Sequence, residues 1–541
     1  MNFSEAIQEW KSILTDDYVQ TSSESLKHVE TATFQTTAKV HAIILPASVQ
    51  QLKECLYIAN KHKTPLYPIS KGMNYGYGSK VPSCDESVIV DLGRMNKMIS
   101  FDSTQGVLTV EPGVTFQEAF EFLIQQKTNF TLAGTGAPLT ASLIGNAVER
   151  GIGKGLASNR IDHICNFEVV LPTGESFTTG LGRHENSKGI GLTKSVPGPL
   201  LDGIFTQSNF GIITKMSFWL TPIPENFQTF IFSVQDEAKL PLIVDALHDL
   251  KQNDVLRSSA TLFNSHRMLG FTGKYPWELH DGKTTLPEKM ALEVLGRSMP
   301  VAAFWYGDGA LYSNSHAQAR AERKLVKKAL KGLVENLTFF YEPKVTALTF
   351  CSRVLEKMGV SVPSQMLEFF FKKSLYTGHL VPMEMTLGST YFRMKSPRPA
   401  PEKMDPCLDN CGIYWMGPIV PFDGVNVDLA IKIIKETITE HGFEPGMTLQ
   451  MITARQIDII VSIAFDRTIP GEDLKAKTCH DDLLQKLIDE GFYPYRLGIQ
   501  SQFLLPSPDD DYCLFIEKIK KALDPNDILS PGRYDFRSNW K

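Results

Sequence analysis

At 541 residues the chain is too long for one simple core, so two or three domains are expected. Hydrophobic residues at 43% and charged residues at 21% exclude a disordered chain. A net charge of -5 gives no reason to expect nucleic acid. The absence of any apolar run of about 18 residues argues against a membrane span. Eight cysteines stand at 55, 84, 165, 351, 407, 411, 479 and 513, and only Cys407 and Cys411 are close. That spacing falls short of a zinc site, so no metal is expected. The stretch Met1 to Glu9 lacks the basic start and apolar core of a signal peptide. Scattered thiols then fit a reducing cytoplasm, the expected compartment.

The first predicted element is a short helix near Glu5–Leu14. Val40-His41-Ala42-Ile43-Ile44-Leu45 reads as a buried strand stopped by Pro46. Ser48 with Gln51 three residues on forms a capping-box pattern, and Val49, Leu52, Cys55, Leu56 and Ala59 give the following helix one apolar stripe. Pro65–Ile69 is the next strand, and it feeds Pro68-Ile69-Ser70-Lys71-Gly72-Met73-Asn74-Tyr75-Gly76-Tyr77-Gly78. Glycines there allow positive φ or close approach of a ligand to bare backbone. Consecutive amides in such a loop form an anion site suited to a pyrophosphate. An ordinary glycine-rich turn has the same composition, so the rest of the chain must decide.

Ser87–Leu92 and Val107–Val110 read as strands, and Thr115 with Glu118 repeats the capping box before a helix through Leu123. A second small-residue stretch runs from Gly134 to Gly155. Phe167–Gly174 is a strand entering a tight turn, and Ser208–Lys215 follows. From Gln228 longer strands alternate with long helices: Gln228–Val234 and Leu337–Tyr341 as strands, Ser315–Leu333 and Val425–His441 as helices. Arg320, Arg323, Lys324, Lys327, Lys328 and Lys331 form a basic cluster expected to be a solvated helix face. Gln450–Asp466 reads as one long strand, and Asp524–Tyr534 carries turn chemistry at both ends.

With these segments in order, the chain resembles the flavoproteins of the vanillyl alcohol oxidase and 4-cresol dehydrogenase family from about residue 40 to 535. The matching pieces are Pro68–Gly78, Ile144–Gly151, Phe167–Gly174, Asp202–Lys215, Tyr495-Arg496 and Asp524–Arg533. The resemblance implies an α+β fold in two parts. An FAD-binding domain spans 1–227, with its core at 36–227, and is completed by a C-terminal segment at 491–541. An antiparallel-sheet cap at 228–490 roofs the flavin. The implied FAD contacts are Ser70, Lys71, Gly72, Met73, Asn74, Tyr75 and Gly76 in the first loop. Pro138, Ser142, Asn146, Glu149 and Gly151 follow in the second stretch, then Gly211 and Ile213, and Arg533 in the tail. Tyr77, Tyr495 and Arg496 fall where the family binds a phenolic substrate as the phenolate. A small-molecule phenol is thus the implied substrate, and the electron acceptor, oxygen or another molecule, stays open. No nucleic acid or membrane partner is implied, and a homodimer is the expected assembly.

Three positions depart from the family. Ala137 aligns with the aspartate that oxidase members place beside flavin N5. Ile413 aligns with the histidine that tethers the flavin in vanillyl alcohol oxidase, so the FAD is expected to be non-covalent, with Tyr414 as the alternative link. Asp458-Ile459 aligns with a His-His pair of the pocket, which makes Asp458 the candidate proton acceptor. Two other readings stay open: a redox-inactive phenol-binding protein, and an oxidoreductase of a non-phenolic hydroxy compound.

Overall fold

A computed structural model describes residues 2–357, 380, 387–505, 507 and 510–537. The remaining residues of the 228–490 and 491–541 spans lie outside the described ones. Three sheets carry the architecture, and one cavity is lined by residues of all three.

The first sheet has four strands in the order Val19–Gln20, Val40–Ile44, Ser87–Asp91 and Leu66–Ile69, the last three mutually parallel. Helix Val49–His62 links Val40–Ile44 to Leu66–Ile69 and buries Leu52, Cys55, Leu56 and Ala59 against them, the stripe read from the sequence. Ser48 caps it by accepting from Gln51 N at 3.2 Å, but the Gln51 side chain accepts from Ala47 N rather than from the cap residue. Thr115 and Glu118 form the full reciprocal box that starts helix Phe116–Gln125. The C-terminal segment returns to this sheet: Ile528 O accepts from Leu66 N at 2.7 Å, and Leu66 O from Ser530 N at 2.8 Å. Asp524 holds the turn by accepting from Ile528 N and Leu529 N, and Lys520 Nζ donates to it at 2.7 Å. The tail is therefore fastened beside the strand that enters the glycine loop.

The second sheet is antiparallel, in the order Ser176–Thr178, Ile164–Val170, Ile212–Trp219, Val107–Val110 and Met98–Asp102. The third, with eight strands, is the roof. Its path runs Glu335–Tyr341, Asn226–Val234, Trp305–Ser313, Ala260–Asn264, Gly446–Met451, Gln456–Asp466 and Cys411–Met416, with Ile419–Pro421 also paired to Gln456–Asp466. Helices Leu240–Gln252, Gly424–Glu440 and Glu472–Asp489 bury their apolar sides against one face of it. The other face looks into the cavity. An α+β fold with an antiparallel cap over the part that carries the first two sheets is what the chain adopts.

One expectation changes. Gln450–Asp466 is a hairpin of two strands, Gly446–Met451 and Gln456–Asp466, because the chain turns at 452–455, where Thr453 Oγ1 accepts from Arg455 N. The basic cluster on and after helix His316–Ala329 is the expected solvated face, with Arg320, Lys324, Lys327, Lys328 and Lys331 exposed; Arg323 is half-buried, donates to Gln228 Oε1 at 2.9 Å and lies 4.6 Å over the Tyr341 ring. Among the described residues, no helix is long and apolar enough to cross a membrane, and no His, Cys, Asp and Glu cluster could hold a metal.

Candidate active site

The loop after Leu66–Ile69 is held in shape from both sides. Gly76 has φ +74°, and a Cβ there would lie 2.1 Å from Cδ1 of Trp415, so both conformation and space require glycine. Thr33 Oγ1 accepts from Gly76 N at 3.0 Å and donates to Ile413 O at 3.1 Å, which ties the loop to cap strand Cys411–Met416. Ser70, Lys71, Gly72, Met73, Asn74 and Tyr75 line a cavity of about 1000 Å³. Gly76 does not line it; its bare face is taken by the Trp415 indole.

The second small-residue stretch forms the facing wall. Pro138, Ser142, Asn146, Glu149 and Gly151 line the cavity, as do Gly211, Ile213 and Arg533 from their separate segments. A Cβ on Gly145 would meet Ser70 Oγ at 2.4 Å, so the bare Gly145 backbone packs against the Ser70 side chain. Asn146 Oδ1 and Ser208 Oγ are buried in this wall with no hydrogen-bond partner.

One carboxylate organises the cations. Glu149 Oε1 accepts from Arg533 at 2.7 Å, its Oε2 accepts from the Tyr534 hydroxyl at 2.9 Å, and Arg496 Nε lies 3.5 Å from Oε2. Burial alone would raise the Glu149 carboxyl, but Arg533 and Arg496 hold it below its ordinary value. Arg496 also donates to Asn74 Oδ1 and lies 4.2 Å over the Tyr77 ring. Tyr77, Tyr495 and Arg496 all line the same cavity. Burial pushes the Tyr77 phenol well above its usual value, with Tyr495 adding to the effect; burial likewise raises Tyr495. Both hydroxyls therefore stay protonated at neutral pH and serve as donors, and with the guanidinium they can hold one anionic oxygen.

The departures take different places. Ala137 is in the cavity wall, so no carboxylate stands there. Ile413 is fully buried and Tyr414 packs into the cap core, its ring 4.8 Å from Phe34, so neither faces the cavity. Asp458, expected as a pocket group, does not line the cavity; it is 1% exposed, on the strand whose Ile460 does line it. It accepts from Gln456 Nε2 at 3.1 Å, and burial lifts its carboxyl to about 7. Its charge is felt at Tyr495. Ile459, its neighbour, is wholly in the core.

The structure adds residues that sequence reasoning did not single out. Gln207 donates to Glu149 O at 3.2 Å and to Tyr495 O at 3.1 Å, joining the two walls. Trp415 and Arg267 come from the cap, and Tyr534 from the tail. Only Tyr534 had a signal, as the neighbour of Arg533.

A family profile described as "FAD binding domain" matches residues 40–180. The 1'-carboxy-chondrochloren decarboxylase of Chondromyces crocatus is 39% identical over 99% of this chain and 98% of its own. The 4-cresol dehydrogenase [hydroxylating] flavoprotein subunit of Pseudomonas putida is 28% identical over 98% and 95%. A crystal structure of p-cresol methylhydroxylase with substrate bound superposes with a TM-score of 0.87 at 27% identity, covering 99% of this chain and 97% of that one. The chain belongs to the p-cresol methylhydroxylase (4-cresol dehydrogenase) family of flavoproteins. As a member of that family it is an FAD-dependent oxidoreductase. The cavity fits the cofactor: it holds about 1000 Å³, it is walled by the glycine loop and by small residues between Ser142 and Gly151, and its orphaned Asn146 and Ser208 oxygens await polar partners.

Proposed function

We propose that this member of the p-cresol methylhydroxylase family oxidises a para-substituted phenol at the carbon attached to the ring. The observation that carries the reading is the grouping of two protonated tyrosines, Tyr77 and Tyr495, with Arg496 in one cavity wall. Their donors favour the phenolate over the phenol, and the phenolate pushes electron density to the para carbon. Glu149 and Asn74 fix the guanidinium so that little order is lost when substrate binds. Ser70–Tyr75, Ser142–Gly151, Gly211, Ile213 and Arg533 are the residues that would hold FAD, bound without a covalent link. FAD supplies the hydride acceptor, and loss of hydride from the benzylic-type carbon leaves a p-quinone methide.

With alanine at 137, the carboxylate left on that wall is Glu149, which Arg533, Tyr534 and Arg496 already engage. Asp458, whose carboxyl burial lifts to about 7 and whose charge acts on Tyr495 from outside the cavity lining, is the group we assign to accept the phenol proton. Cytoplasmic location and a homodimer remain part of the proposal.

A second reading concerns the fate of the quinone methide, and the 39% identical relative favours it because its name states a decarboxylation. If the next carbon bears a carboxylate, the C–C bond breaks. Its electron pair then forms the side-chain double bond and restores the phenolate, with carbon dioxide leaving. Such a step needs neither water nor a base at position 137. Anaerobic mixing of the FAD-loaded protein with para-alkyl phenols and their carboxylated analogues tests both readings. Bleaching of the flavin by phenols supports the oxidation, and one carbon dioxide per flavin reduced supports the second step. No bleaching by either set refutes both.

A further inference from the structure

Arg267 is a buried cation of the cavity that no carboxylate neutralises among the described residues. It sits in the first turn of helix Ser265–Thr272, where Asn264 caps the helix by accepting from Arg267 N at 3.0 Å. The residue is 6% exposed and lines the cavity from the cap side. Its guanidinium carbon lies 4.6 Å over the Phe271 ring and 4.7 Å over the Trp415 ring. Its Nη1 donates to the Ser389 and Ser462 hydroxyls at 3.4 Å each, at the long end of hydrogen bonding, and its Nε has no partner.

Of the other cations on these walls, Lys71 stands on the glycine loop without an ion pair among the described residues, and the remaining three are matched. Lys154 pairs with Asp308, and Arg496 and Arg533 share Glu149. Glu444 borders a small cavity behind Arg267, but its carboxylate is engaged by Arg393 at 3.4 Å and by Leu286 N at 3.1 Å. A buried guanidinium with aromatic faces and two long hydroxyl contacts is only part-satisfied, and its desolvation cost stands. Burial accordingly drags its pKa down to about 9. A bound anion removes that cost, and the planar fork matches a carboxylate.

The position relative to the phenol clamp gives the anion a meaning. The Trp415 indole that meets Arg267 on one side is the one pressed against Gly76, the residue before Tyr77. The guanidinium is therefore one aromatic ring away from the loop that carries the clamp. Resting on the phenol reading of this cavity, we propose that Arg267 receives a carboxylate on the para side chain of the substrate. The substrate class is then a phenol whose para substituent ends in, or carries, a carboxylate.

The test titrates FAD-loaded wild type, Arg267→Met and Arg267→Lys anaerobically and reads the flavin absorbance shift. The probes are para-hydroxyphenylpropanoate, its neutral amide and phenylpropanoate. Wild type should prefer the acid over the amide by about 10- to 100-fold, the worth of a charge-assisted contact. Arg267→Met should erase that preference by weakening the acid and not the amide, and Arg267→Lys should restore part of it. Equal binding of acid and amide to wild type, or a preference that survives in Arg267→Met, overturns the proposal. Should Arg267→Met fail to retain FAD, the wild-type comparison and the lysine variant still decide. Failure of the phenol reading looks different: phenylpropanoate would bind as well as its hydroxylated analogue and still depend on Arg267.

Discussion

Replacing Asp458 with asparagine should flatten the pH dependence of stability, by an amount that burial sets. The carboxyl is 1% exposed and lifted from 3.8 to about 7, chiefly by desolvation, with Gln456 pulling it back only in part. In the unfolded chain it ionises near its ordinary value of 3.8. Between those two values the native state keeps a proton that the unfolded state has released. The stability from this group is thus complete below about pH 4, falls as pH rises, and is fully lost above about 7. At about 1.4 kcal/mol per pH unit the full gap is about 4 kcal/mol, and the part between pH 5 and 8 is about 3 kcal/mol. The asparagine side chain would keep an oxygen for Gln456 Nε2 and remove the titration. Chemical denaturation of the FAD-loaded proteins at pH 5 and pH 8 should show the variant gaining on wild type by up to that amount as pH rises. Other titrating groups cancel in the difference. Parallel profiles for the two proteins would refute the reasoning and leave Asp458 an ordinary ionised carboxylate. In rapid mixing at saturating substrate, the same variant should reduce its flavin about 10²- to 10⁴-fold more slowly with phenol binding nearly unchanged, the usual scale for a lost proton acceptor.

Arg496→Lys should weaken phenol binding by roughly 1.5–3 kcal/mol, since lysine cannot reproduce a planar fork shared between Asn74, Glu149 and a ligand; titration of the flavin spectrum across the phenol's pKa measures it. Acid precipitation should leave the yellow colour in the supernatant, because Ile413 offers no nucleophile and Tyr414 is packed into the cap core; a coloured pellet would show a covalent link. Gly76→Ala should lower FAD retention and thermal stability together, as its Cβ would stand 2.1 Å from Trp415 at φ +74°; a variant that loads FAD normally would show that the loop and Trp415 yield easily.

How much was legible in the sequence depended on the range of the force involved. Helix Val49–His62 and the Thr115–Glu118 box were readable because their apolar stripes and caps are satisfied within one or two turns. The hairpin Gly446–Met451 and Gln456–Asp466 was not, since the turn at 452–455 is Ile-Thr-Ala-Arg, without the glycine or proline that usually marks one. Gly76 was legible as a glycine that matters, but the reason lies in Trp415, more than three hundred residues on. Tyr77, Tyr495 and Arg496 could be named only through the family resemblance, because two distant loops bring them to one wall. Arg267 carried no signal at all. Its lack of a carboxylate partner among the described residues shows only once the fold sets it between Phe271 and Trp415, and a lone arginine in Ser-His-Arg-Met-Leu reads as a surface residue.

The central claim is that the ring oxygen must be bound as an anion before the para carbon can lose hydride. Its most direct test is anaerobic mixing of the FAD-loaded protein with a para-alkyl phenol and, separately, with the methyl ether of that phenol. The account predicts that the phenol bleaches the flavin and that the ether, unable to become a phenolate between Tyr77, Tyr495 and Arg496, leaves it oxidised. Equal bleaching by both would contradict it.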